Sequence, residues 1–406
     1  MMRSFKHKGL KQLFQSGKDG RLNPRRTEGG LAMATLQDEL IIKGMRLRNR
    51  LALPPLTTNY GTNEGYVRDA VIQFYERRSR DVGLVIVEAT SVRPDGRIVQ
   101  GTLGLWEDEQ IKGMGRLVDT IKNNGAAALV QLNHAGARCY PSGGKMQGAS
   151  PSGIALSPAV EPFAMSQEHI EEMISNFASA ARRAKEAGFD GVEIHGAHLY
   201  LVSQFLSPLT NKRTDRYGGD AKGRATFALE VLEAVRESVT DSYPILFRIN
   251  AVENVEGGQT IEEAITVCRL LTDAGVDALD LSFVTQARWK EADGRRFLVA
   301  GSAFVKENKP GAGIPTLARI KEAVNVPVIG VGKLGIATVA SDAVANSHID
   351  IAAIGRQMIA DPDSAGKLLT GRADQITPCE ECMSCFGSIR SGKPLECKVN
   401  KDLPKP

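Results

Sequence analysis

No apolar run in this chain approaches the roughly 20 residues a membrane-spanning helix needs. The N-terminus also lacks the apolar stretch of a secretory signal. Both absences speak against a membrane partner and make the cytoplasm the expected location. Cysteine is scarce, six in 406 residues, and Cys139 and Cys268 lie far from the four that cluster at 379–397. Such usage does not suggest a disulfide framework. The biases that mark disorder are missing too, because 42% hydrophobic and 24% charged residues leave enough apolar side chains for a large core.

Charge is unevenly spread. Residues 1–32 carry a balance of +6, from eight Lys or Arg against Asp19 and Glu28, so the formal +4 of the chain leaves −2 for the remainder. A basic arm can bind nucleic acid, but this one has no aromatic interleaving and no reading module, and no nucleic-acid partner is expected. Its opening, Met2-Arg-Ser-Phe-Lys-His-Lys-Gly-Leu, resembles the start of RelE-superfamily toxins over residues 1–25, too short a piece to fold as one. Residues 1–34 are therefore expected to be a disordered extension, and 35–406 the folded domain.

From residue 50 onward, short β-rich apolar runs alternate with longer helix-like segments. Strands are expected at 50–54, 82–88, 126–131, 191–195, 244–249, 278–282, 326–331 and 349–354. Between them, stretches such as 168–187, 224–239, 261–274 and 314–323 space apolar residues by three and four, as amphipathic helices do. Eight βα units whose strands are too apolar to have a wet face predict an α/β fold of the closed (β/α)8 TIM-barrel kind. Function in such a barrel sits at the C-terminal ends of the strands.

Those ends form a coherent set. The first strand runs into Pro54-Pro55-Leu56-Thr57, the second ends at Glu88-Ala89-Thr90, the third at Gln131-Leu-Asn-His134-Ala-Gly136, and the fifth at Arg248. The seventh and eighth end in Gly330-Val-Gly332-Lys333 and Gly355-Arg356, glycine turns with a basic side chain that suit a phosphate. Gly330-Val-Gly332-Lys-Leu-Gly335 also spells G-x-G-x-x-G, but it follows six barrel strands rather than opening a βαβ unit. A flat heterocycle suits the other ends: Gln131 can pair with a ring amide, and Arg248 can stabilise negative charge on a reduced ring. Flavin mononucleotide is the expected cofactor.

The fourth strand leads into His195-Gly-Ala-His198-Leu-Tyr200. Two imidazoles and a phenol there can offer two hydrogen-bond donors and a proton to one oxygen that gains charge. Together with Phe205-Leu-Ser-Pro208, Asn211-Lys-Arg213-Thr-Asp215-Arg-Tyr217-Gly-Gly219, Asn49-Arg50 and Ala360-Asp361-Pro362, these motifs make residues 36–400 resemble the Old Yellow Enzyme family, the NADH:flavin oxidoreductases. The resemblance implies FMN on a barrel, reduced by NADH or NADPH, and hydride delivery to the β-carbon of an enone, a small-molecule substrate. It also implies that His195 and His198 bind the carbonyl oxygen, that Tyr200 protonates the α-carbon, and that Thr57 lies by the flavin C4 oxygen. Pro55, Ala89, Gln131, Arg248, Gly332, Lys333, Gly355 and Arg356 would hold the cofactor. Leu199 replaces the glycine most members carry before the tyrosine. Assembly as a homo-oligomer is expected, as for many members.

Cys379-x2-Cys382-x2-Cys385-x11-Cys397 resembles the iron–sulfur segment of 2,4-dienoyl-CoA reductase and trimethylamine dehydrogenase, with its second gap one residue shorter. A [4Fe–4S] cluster, tetrahedral zinc and free thiols all fit four cysteines so spaced. The larger relatives continue into domains that feed the cluster, whereas this sequence ends at Pro406, so a cluster here is expected to need another electron source or to serve structure. Two other readings stand beside the ene reductase. One is a metal-dependent barrel hydrolase, for which six histidines and no carboxylate-rich set at the strand ends are available; the other is a non-enzymatic flavin and iron–sulfur redox protein.

Overall fold

The computed structural model describes residues 33–140, 146–292 and 294–406. The basic arm 1–32 and its toxin-like start lie outside the described residues. One compact unit spans Ala34–Pro406.

Eight parallel strands close into a barrel: β1 (Leu51–Leu53), β2 (Leu84–Ser91), β3 (Ala127–Asn133), β4 (Gly191–Gly196), β5 (Ile245–Glu253), β6 (Ala278–Val284), β7 (Val328–Gly330) and β8 (Ile351–Ala353). Each pairs with its chain neighbour, and β8 closes on β1 through Ala352↔Leu51. All eight lie where the apolar runs predict. The helices follow as expected, at Gln167–Glu186, Ala221–Ser238, Ile261–Asp273 and Ile314–Ala323 among others. Ser166 caps the first of these by accepting from the His169 amide, and its buried stripe Ile170, Met173, Phe177, Ala180, Ala184 faces the strands.

Side chains alternate in and out along a strand, so each barrel strand contributes two sets of residues. The outward set packs under the helices in the larger core, with Val85, Val87, Val130, Val192, Ile194, Phe247, Leu279 and Leu281 among its members. The inward set is apolar at the N-terminal end: Ala52, Leu84, Ile86, Leu129, Leu246, Ala278, Ile329 and Ile351 cluster there with Ile42, Met45 and Leu47. Those last three come from the hairpin of Leu40–Ile42 and Met45–Leu47, which pairs as Ile42↔Met45 and stoppers the barrel floor.

Further along five of the strands the inward residues turn polar: Glu88 on β2, Gln131 and Asn133 on β3, Glu193 and His195 on β4, Arg248 and Asn250 on β5, Asp280 and Ser282 on β6. All are buried. Filling a barrel with apolar layers below and a polar layer above leaves only the C-terminal end able to bind a polar ligand. Over that end the loop after β6 forms an antiparallel hairpin, Gln286–Ala292 with Arg295–Gly301, which the sequence pattern did not announce.

Candidate active site

Sheet register builds the site. Parallel pairing sets Gln131 opposite Glu193, His195 opposite Arg248, and Arg248 opposite Asp280. Gln131 donates from Nε2 to Glu193 Oε1 at 2.8 Å, and the Arg248 guanidinium lies 3.3 Å from the Asp280 carboxylate. Burial first, and then the charge of Asp280, push the Glu193 carboxyl well above the usual range. Asp280 is raised by burial also, against the pull of Arg248. One guanidinium facing two carboxyls in a low-dielectric interior favours a single proton held by the pair. The sequence reading missed both carboxyls, although a charged residue inside Val-Glu-Ile-His and Leu-Asp-Leu-Ser was the available signal.

His195 Nε2 lies 3.0 Å from His198 Nδ1, and His198 Nε2 lies 2.7 Å from the Ser282 hydroxyl. The two rings thus face one another rather than standing side by side. His198 and Leu199 both adopt left-handed backbone, φ +63° and +56°, held because the His198 amide donates to Asn250 Oδ1 and the Leu199 amide to Ser203 Oγ. Leu199, the departure from glycine, is fully buried in a small apolar cluster. Burial, Arg248 and Arg138 all push the His195 pKa well below the usual imidazole value, and burial and Arg248 do the same for His198. Both rings are neutral at pH 7, so each offers one N–H. The Tyr200 ring packs edge-on against His195 at a centroid distance of 5.0 Å. The three expected catalytic residues therefore share one corner of the barrel mouth.

The loop after β1 is tied to β2. Glu88 accepts from the Thr58 amide at 2.8 Å and from the Thr58 hydroxyl at 2.6 Å, which fixes the preceding Pro55 and Thr57, both half-buried. Burial raises the Glu88 pKa to about 7. Ala89, the next residue of β2, is buried.

The expected phosphate turns stand together, since β7 and β8 pair through Gly330↔Ala352. Gly332 has φ +123°, and a Cβ there would meet the Phe304 ring at 3.2 Å; beside Gly355 a Cβ would meet Pro54 and Leu56 at 3.4 Å. The basic side chains do not point where the motif suggested. Lys333 Nζ pairs with Glu381 Oε2 at 2.7 Å and donates to the Asn308 carbonyl, while Arg356 donates to the Phe304 carbonyl and, at 3.4 Å, to the Met383 sulfur. Both cations reach residues between or near the cysteines, because that segment lies over the ends of β7 and β8. The chemistry of the polar layer fits a flavin: buried Arg248 Nε, His195 Nδ1 and both ends of the Asn133 amide lack protein partners at the barrel mouth, and buried polar groups are ordinarily satisfied.

Cys379, Cys382, Cys385 and Cys397 line one cavity of about 10 Å³ with Arg356, Ile359 and Val399, no more room than a single water needs. Among the described residues no three His, Cys, Asp or Glu stand grouped to hold one metal ion, and no helix is long and apolar enough to cross a membrane.

With this geometry in hand, comparison with known proteins is informative. The model of the NADH:flavin oxidoreductase / NADH oxidase family matches residues 38–375. An NADH oxidase of Thermoanaerobacter brockii is 36% identical over 370 residues, which are 88% of this chain and 54% of that protein. The chain thus spans about half of that relative's length. An NADPH dehydrogenase of Clostridium acetobutylicum is 36% identical over 79% of this chain and 90% of its own. The solved structure of 2-naphthoyl-CoA reductase with 2-naphthoyl-CoA superposes with a TM-score of 0.84 at 28% identity, over 91% of this chain and 57% of that one.

Proposed function

We propose, since the chain belongs to the NADH:flavin oxidoreductase / NADH oxidase family, that it is an FMN-dependent, NADH- or NADPH-driven reductase of the activated C=C bond of α,β-unsaturated carbonyl compounds. The observation that carries this reading is the neutral pair His195 and His198, with Tyr200 against it, at the mouth of the buried polar layer. Bound over that layer, with Gln131, Arg248 and the turns at Gly332 and Gly355 as its holders, FMN would supply hydride drawn from the nicotinamide. All remaining work falls to side chains of this chain.

Hydride arrival at the β-carbon builds negative charge on the substrate oxygen. Ser282 can donate to His198 Nε2, which leaves the His198 proton on Nδ1. That Nδ1–H donates to His195 Nε2 at 3.0 Å, so a substrate oxygen that accepts from both rings has to displace this bond, with the His195 proton then on Nε2. Each such donor contributes about 3 kcal/mol to stabilising a developing oxyanion. Tyr200 then donates its phenol proton to the α-carbon, and the added hydride and proton complete the saturated product. Arg248 would offset negative charge on the flavin ring when it is reduced.

The cysteine segment extends the reading to an iron–sulfur cluster. A [4Fe–4S] cluster would be held by Cys379, Cys382, Cys385 and Cys397, which line one cavity but would have to part to admit it, since that cavity has room for no more than a water.

The test is the visible spectrum of anaerobically purified protein, with iron and zinc analysis, before and after NADH or NADPH. Flavin bands that bleach with the nicotinamide and return with cyclohexenone are the expected result. Protein that stays colourless when FMN is added would remove the reading.

A further inference from the structure

Two arginines outside the machinery just described converge on Tyr200. Arg138, in the short helical turn Gly136–Arg138 after β3, sets its guanidinium 5.0 Å from the centre of the Tyr200 ring and donates to the His198 carbonyl. Arg390 closes the helix Ser384–Arg390 within the cysteine segment, reaches the Ala300 carbonyl of the β6 hairpin at 3.4 Å, and stacks over Phe386 at 5.0 Å. A common apolar base brings them together: Ala137, Leu199, Leu298 and Ala300 share one small cluster, so the neighbours Arg138 and Tyr200 and the Arg390 contact at Ala300 all rim it.

Neither guanidinium forms an ion pair among the described residues. The charge of Arg138 bears on Arg390, whose pKa is lowered by burial first and by Arg138 next. Arg248, in the barrel layer below, is by contrast paired with Asp280 at 3.3 Å. Two like charges, Arg138 and Arg390, with no ion-pair partner among the described residues raise the local positive potential beside the substrate oxygen site, and such clefts concentrate anions. The hairpin that carries Ala300 exposes Arg288 and Lys290 on one face and Arg296, opposite Glu291, on the other, where Arg296 stacks on Trp289 at 4.5 Å.

We infer that Arg138 and Arg390 recognise an anionic group on the substrate, so the enone this protein prefers carries a carboxylate or a phosphate next to its reacting end. The inference rests on the ene-reductase reading for the location of the substrate, and on the two unpaired arginines for its charge. Guanidinium is the group that binds both anions in a two-pronged fashion, and neither arginine takes part in the hydride or proton step.

The experiment compares matched pairs with holoprotein. 3-Oxocyclohex-1-ene-1-carboxylate and its methyl ester differ in a carboxylate, and 3-oxocyclohex-1-enylphosphonate and its dimethyl ester differ in the phosphonate that stands in for a phosphate. Binding of each is measured by the shift it causes in the flavin spectrum and by calorimetry, alongside kcat/KM. The expected result is that one anionic member outbinds its neutral partner, that Arg138→Gln and Arg390→Gln each reduce that ratio by roughly tenfold, and that Arg390→Lys retains most of it. Raising ionic strength from about 0.01 M to about 0.5 M should shrink the ratio as well. Whichever pair responds identifies the anion. Equal binding of charged and neutral members, or a ratio untouched by both glutamine variants, overturns the inference even if every enone is reduced. A charge preference in binding without turnover of any enone would leave the inference standing and overturn the reductase reading instead. Arg390 lies on an exposed helix end, so its variants fold even where Arg138→Gln disturbs the loop.

Discussion

The polar layer of the barrel and the cysteine segment beside it are built in opposite ways. Five strands supply the layer, each side chain is held by sheet register, and Glu88, Gln131, Glu193, Arg248 and Asp280 are all buried. The cysteine segment has one short helix, Ser384–Arg390, and otherwise coil. It is docked through scattered contacts: Lys333 to Glu381, Asn59 Nδ2 to the Gly392 carbonyl at 3.0 Å, and the Leu395 amide to the Thr58 carbonyl at 2.8 Å. A layer fixed by backbone pairing keeps its geometry whatever binds to it. A segment fixed by a few polar contacts would gain order from any cluster its thiols held, because metal ligation contributes folding energy directly.

Several substitutions would break or sharpen this contrast. The largest effect is expected for His195→Ala with His198→Ala, which should retain flavin yet lose enone turnover by on the order of 10²-fold or more for each donor. Unchanged turnover of cyclohexenone by the double variant would defeat the role of the pair. Next comes Arg248→Met, which removes the buried cation beside Asp280 and Glu193. Removing one partner of a buried ion pair typically lowers stability by about 3 kcal/mol or more, and a denaturant midpoint equal to that of the parent protein would show that the layer does not depend on it.

Glu88 gives a smaller, pH-dependent effect. Its folded pKa of about 7 lies above the ordinary carboxyl value, so the stability it contributes is full below the ordinary value and is lost as pH rises through about 7. Melting temperature should therefore fall between about pH 5 and about pH 8, and Glu88→Gln should flatten that fall. An identical slope in the variant would assign the pH dependence to Glu193 or Glu253, both of which are also raised by burial. The smallest effect on fold is expected for Cys379→Ala, which should abolish absorbance near about 400 nm from a cluster while changing the barrel's melting temperature little. A large drop in melting temperature would mean the segment supports the barrel, contrary to the contrast drawn above.

Much of the site was readable before any coordinates. The glycine turns at 330–335 and 355, the His195–Tyr200 run and the four-cysteine spacing are local patterns whose chemistry depends on residue type and separation along the chain. What sequence reading missed is non-local. Glu193 and Asp280 look like solvent-facing charges in apolar strands until the barrel closes and turns both inward. Lys333 has the position of a phosphate ligand, yet its partner Glu381 lies 48 residues on. Arg138 and Arg390 are 252 residues apart and meet only because Ala137 and the hairpin residue Ala300 enter one cluster.

By itself, then, the amino-acid sequence determined the alternation of eight apolar strands with amphipathic helices, and with it the closed barrel, because period-two and period-3.6 burial are properties of a chain segment and its immediate neighbours. It also determined that polar residues would crowd one end of each strand. Tertiary structure alone decided how those residues pair: which carboxyl shares which proton, that the two imidazoles meet at 3.0 Å, and that two arginines flank the tyrosine with no ion-pair partner among the described residues. Pairing of that kind depends on distance in space and on the removal of water, and neither exists until strands far apart in the chain have been brought into register.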